Sequence, residues 1–134
     1  MNATRILTAE TEGVTNLGAA DAFRTDAIVS RTLVKTPELR VVQFHFDAGQ
    51  ELTEHTSPHR ALAQILTGAC EFKLGDTWRS LVAGDLVHMP PLLPHAVRAT
   101  VPMSFLLTLC PSPQNPPPAQ PVPSWPENQT RTCP

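Results

Sequence analysis

Between Asp26 and Cys110 the chain is a succession of short runs rich in β-branched and aromatic residues, each closed by a turn former, and no part of it carries a helical period. DAIVSRTLVKT (Asp26 to Thr36) and LRVVQFHFDAG (Leu39 to Gly49) read as two strands joined by a turn at Pro37. In the second, Val42, Phe44 and Phe46 alternate with Val41, Gln43 and His45, so the two sets face opposite sides of a sheet. ALAQILTG follows, then ACEFKLGDTWRSLVAGD, in which Gly75-Asp76 separates two runs as a hairpin turn would. LVHMPP, HAVRAT and MSFLLTLC complete the series. Turn signals at this spacing predict an all-β sandwich or barrel, and NLGAADAFRTDA before it leaves room for one short helical turn.

Proline sets the boundary on the C-terminal side. Nine of the fifteen prolines lie between Pro111 and Pro134. Such a stretch offers few backbone donors and almost no apolar periodicity, which predicts an extended or disordered tail. The expected organisation is therefore an N-terminal segment at 1–25, a barrel at 26–110 and a Pro-rich tail at 111–134, whose Trp125 could dock on the barrel or whose prolines could serve an SH3-like partner. With 134 residues and 41% hydrophobic content the chain can bury a core without staples.

A formal charge of -2 and a pI near 6.2, without a cluster of Lys and Arg, argue against a nucleic-acid surface. No apolar run approaches the roughly 20 residues a membrane helix needs. MNATRILTAETEG has no secretory pattern, so a cytoplasmic protein is expected, and the sequon at Asn128 then carries little meaning. Cys70, Cys110 and Cys133 are odd in number and widely spaced, with no Cys-x-x-Cys pair, which points to thiols rather than to disulfides or a zinc knuckle. Nucleophile elbows, phosphate-cradling loops and dinucleotide fingerprints are missing from the sequence.

What remains is histidine. GQELTEHTSPHRALAQILTG, from Gly49 to Gly68, and GDLVHMPPLLPHAVRA, from Gly84, carry His55, His59, His88 and His95. The first stretch fits Gly-x5-His-x-His-x3-Glu-x6-Gly at Gly49, His55 and Gly68, with Ser57 and Ala61 at the second His and the Glu. The second fits Gly-x5-Pro-x-Gly-x2-His-x3-Asn at Gly84, Pro90 and His95, with Leu92 and Ala99 at the Gly and Asn. These are the two motifs of the cupin superfamily, and over roughly residues 26–110 the chain resembles a small cupin with a degenerate first motif.

The resemblance implies a jelly-roll β-barrel, with His55 and His95 at ligand positions facing its interior. They hold a metal or line a pocket. His59 is an open third ligand: four residues along a straight strand span roughly 13 Å, too far for two imidazoles to share an ion at ordinary angles, so the segment must bend. Pro58, which removes a backbone donor inside that interval, argues against a helical His-x3-His site. His45 is expected at the solvent or an interface, and His88 as a structural residue. Parity puts Glu51 on the face of His55 and Glu54 on the other, which leaves Glu51 as the carboxylate able to reach the site.

The expected function is that of a small cupin binding a divalent transition metal (zinc, iron, nickel, copper or manganese) through His55, His59 and His95, together with a small organic ligand. Dioxygenase, isomerase or decarboxylase chemistry is what the resemblance implies if the protein is an enzyme. The alternative is a noncatalytic ligand-binding or sensory module without metal. A pocket lined by Phe44, Leu62 or Leu106 predicts an apolar component in the ligand, and a homodimer is expected.

Overall fold

The structure is a computed structural model that describes residues 7–18 and 23–111. Nine strands account for its regular structure: β1 (Ile28–Lys35), β2 (Arg40–Phe46), β3 (Glu51–His55), β4 (Arg60–Thr67), β5 (Ala69–Leu74), β6 (Thr77–Val82), β7 (Leu86–Met89), β8 (His95–Ala99) and β9 (Met103–Cys110). They form two antiparallel sheets, one ordered β1-β2-β9-β4-β7 and the other β3-β8-β5-β6. The result is an all-β jelly roll. No helix forms among the described residues, and so none is long and apolar enough to cross a membrane.

Alternation builds it. Along β4, Ala61, Ala63 and Ile65 turn inward and are buried while Leu62 and Gln64 stay exposed. The core between the sheets includes Phe46, Ile65, Phe72, Met103 and Phe105, drawn from both layers. Phe105 stacks in tilted contact with Phe44 and Phe46, at centroid separations of 4.9 and 5.7 Å. The β1–β2 turn is held by Thr36, whose hydroxyl accepts the amides of Glu38 and Leu39. At the β5–β6 hairpin Gly75 has φ of 63° and Asp76 does not turn positive, which is the II′ pattern and explains why Gly-Asp serves here as well as Asp-Gly.

The outer face of the five-stranded sheet differs from the expected solvent surface. His45 is 2% exposed, against Phe23 at a ring separation of 4.9 Å, and Gln43 is fully buried. Gln43 donates from Nε2 to the carbonyl of Leu17, and Leu7 donates its amide to Leu33, so the N-terminal segment lies over this face. His45 is on the predicted face, yet covered. The described part of NLGAADAFRTDA holds a turn at Thr25-Asp26 and no helix, while residues 19–22 and the Pro-rich tail from 112 onward lie outside the described residues.

Candidate metal and ligand site at the barrel mouth

β3 and β8 are antiparallel neighbours in which His55 and His95 are direct register partners. Their rings meet edge to face, with centroids 4.2 Å apart. Each Nδ1 lies 2.8 Å from a backbone carbonyl two residues earlier, Thr53 for His55 and Leu93 for His95. A carbonyl oxygen can only accept, so Nδ1 carries the proton in both rings. In the neutral imidazole this leaves Nε2 with its lone pair available. Burial pushes the His95 pKa down, the nearby His55 adds to that, and the Leu93 carbonyl opposes it. The neutral, donor-ready form is favoured.

The chain leaves β3 at His55 and crosses to the other sheet through residues 56–59, with a bend at Pro58 and His59. This is the bend that a His55–His59 pairing needs. It is tied on both sides: His59 donates its amide to the hydroxyl of Ser57, and Leu92 donates its own to the Ser57 carbonyl. Nδ1 of His59 is buried and has no hydrogen-bond partner. His55, Ser57, His59, Ala61 and His95 surround a cavity of about 180 Å³, floored by Met89 and Leu107.

Thus the three histidines named from the sequence gather around one cavity, and Ser57 and Ala61 face the same space. Among the described residues, however, no group of three or more His, Cys, Asp or Glu side chains is already arranged to hold a metal ion. The donor chemistry still fits one. Two imidazoles carry free Nε2 atoms with the other nitrogen pinned to backbone, the usual support of a metal-bound histidine. His59 borders the same cavity, with its Nδ1 buried and unpartnered rather than exposed beside the pair.

Glu51 is not part of the site. The β3–β8 register shifts between Leu52 and His55, and this irregularity inverts the simple parity, so Leu52 rather than Glu51 lines the interior with His55. Glu51 is exposed opposite Arg98, and Glu54 is ion-paired with Lys73 at 2.7 Å. His88 lies outward on β7 and accepts a hydrogen bond from Arg60 at 2.9 Å. Of the residues proposed to line a pocket, Phe44 does so beneath the histidines. Leu62 points out, and Leu106 meets the N-terminal segment.

The comparisons agree with this architecture. No curated protein matches the chain. Among solved structures, a conserved protein of unknown function from Streptococcus pyogenes is similar at 28% identity and a TM-score of 0.65, covering 78% of this chain and 98% of its own. KdgF from Halomonas sp. is similar at 27% identity and a TM-score of 0.61, with 64% and 82% covered. A salicylate 1,2-dioxygenase mutant from Pseudoaminobacter salicylatoxidans, solved with gentisate, shares the fold at 16% identity and a TM-score of 0.58, over 62% of this chain and 25% of that one. The family model for the cupin domain matches residues 42–109, a span that contains both histidine motifs, and the chain belongs to the cupin superfamily.

Proposed function

We propose that this cupin holds a divalent transition metal on Nε2 of His55 and His95, with His59 as the third nitrogen, and binds a small organic ligand in the cavity they border. The observation that carries the reading is the fixed tautomer of the paired histidines, each with Nδ1–H committed to a backbone carbonyl. Three neutral nitrogens without a carboxylate favour zinc, copper or nickel over manganese. When bound, such an ion supplies Lewis acidity or oxygen activation, the basis of dioxygenase, isomerase or decarboxylase reactions. The chain's own contribution is to aim two imidazoles from one ladder, to hold the crossing loop through Ser57, and to keep the inner wall apolar with Met89 and Leu107. The setting we assign is cytoplasmic and homodimeric, the latter supported by the exposed apolar Leu62 and Leu86 on the outer face of the five-stranded sheet.

Buried Ala61 favours a second reading, in which the barrel is a metal-free ligand-binding or sensory module. Elemental analysis of protein purified without a polyhistidine tag separates the two. Substoichiometric metal that is restored by loading, and abolished by His55→Ala with His95→Ala, supports the metal site. Metal below about one atom per ten chains that loading cannot raise assigns the barrel to the second reading.

A further inference from the structure

Beneath the histidine pair the barrel continues into a second chamber of about 70 Å³, which shares His55, His95, Met89 and Leu107 with the outer cavity. Its wall is made by Phe44, Phe72 and Phe105, with Leu52, Val97 and Leu107. Phe105 links the other two rings, at 4.9 Å to Phe44 and 6.2 Å to Phe72. Among the residues lining either chamber there is no Asp, Glu, Lys or Arg. The polar atoms are confined to one end: the imidazoles and the Ser57 hydroxyl.

From this asymmetry we infer that the ligand is a monofunctional small molecule, with a single oxygen or nitrogen head at the histidines and a short unbranched alkyl tail in the phenylalanine chamber. The inference rests on the histidines being the head-group site. A second polar group at the far end would be buried against three phenylalanines with nothing to satisfy it, which argues against sugars, dicarboxylates and phosphate esters that would send one into this chamber. Size narrows the class further. A cavity of about 150 Å³ accommodates benzene, so a chamber of about 70 Å³ is too small for a ring and suits a tail of about three carbons.

The test is calorimetric titration of the full zinc-loaded chain with straight-chain monocarboxylates from formate to octanoate, with succinate and imidazole alongside. Affinity is expected to rise about fourfold per methylene, as burial of a CH₂ dictates, to level off near butyrate, and to be at least about tenfold weaker for succinate than for butyrate. Leu52→Phe, which fills the chamber, should flatten the series. Phe44→Leu, which enlarges the chamber and does not depend on a tolerated insertion, should move the plateau to longer acids.

A flat series in the wild type, with formate and imidazole still bound, overturns the inference and leaves the head-group site standing. So does a plateau that Phe44→Leu fails to move. Chain-length dependence that persists in the His55→Ala, His95→Ala protein instead overturns the histidine assignment and retains the alkyl chamber.

Discussion

The amide of Leu92 donates a 2.8 Å hydrogen bond to the carbonyl of Ser57, joining the loops that carry the two histidine motifs, and Leu92 does so with φ of 71°. A branched side chain in left-handed backbone is strained by about 1–2 kcal/mol. Leu92 stands where the second motif has glycine, and its side chain is largely exposed, so little packing offsets the strain. Leu92→Gly should therefore raise stability by about 0.5 kcal/mol, the relief being partly cancelled by a more flexible unfolded chain. Urea denaturation measures it, and a loss above about 1 kcal/mol would mean that Leu92 packs against the loops more than its exposure implies.

Gly68 is the opposite case. A Cβ there would lie 2.2 Å from the Pro102 carbonyl oxygen and 2.8 Å from Met103, on backbone with φ of 78°. Gly68→Ala should cost about 2–4 kcal/mol, combining left-handed strain with overpacking against main chain that cannot swing away. A thermal shift of only a degree or two would refute the close approach.

Ser57→His with Ala61→Glu should rebuild the four-ligand shell, since both positions line the cavity with His55 and His95. Without metal the double mutant should be less stable, because the introduced glutamate takes the place of Ala61, only 5% exposed, and its carboxylate has no counter-charge there. Metal should then stabilise it more than it stabilises the wild type, with manganese and iron gaining most. Thermal melts with and without each ion check both halves, and equal shifts in the two proteins count against the shared cavity.

His59→Ala should weaken metal binding at least about tenfold if its orphaned nitrogen is the third ligand. A change below about twofold would reduce the centre to the His55–His95 pair.

Cys70 is buried, and desolvation, helped by Asp85 and Glu71, pushes its thiol up to about 11, whereas Cys110 is exposed. At pH 8 iodoacetamide should modify Cys110 within minutes and leave Cys70 intact until denaturant is added. Peptide mapping reads the outcome, and early labelling of Cys70 would show that the core opens.

The strands with clean alternation were legible because burial follows period two: Ala61, Ala63 and Ile65 needed nothing but their spacing. β3 was not, since Glu51–His55 is short, carries Leu52 as its one inward aliphatic residue and is irregular. That irregularity also defeats the parity assigned to Glu51. The burial of Gln43 and His45 depends on the N-terminal segment lying over them, which no local pattern encodes. His55 and His95 were named by motif alone, because their contact is a register between strands far apart in the chain. The backbone carbonyls of Thr53 and Leu93 that fix their protons leave no mark in a sequence.

Because His55 and His95 belong to one hydrogen-bonded ladder, while His59 lies on the segment that steps to the opposite sheet, the two sides of the mouth are held by different elements. If the proposed centre forms, the position of its third nitrogen is therefore set by a four-residue crossing, residues 56–59, rather than by the barrel ladder.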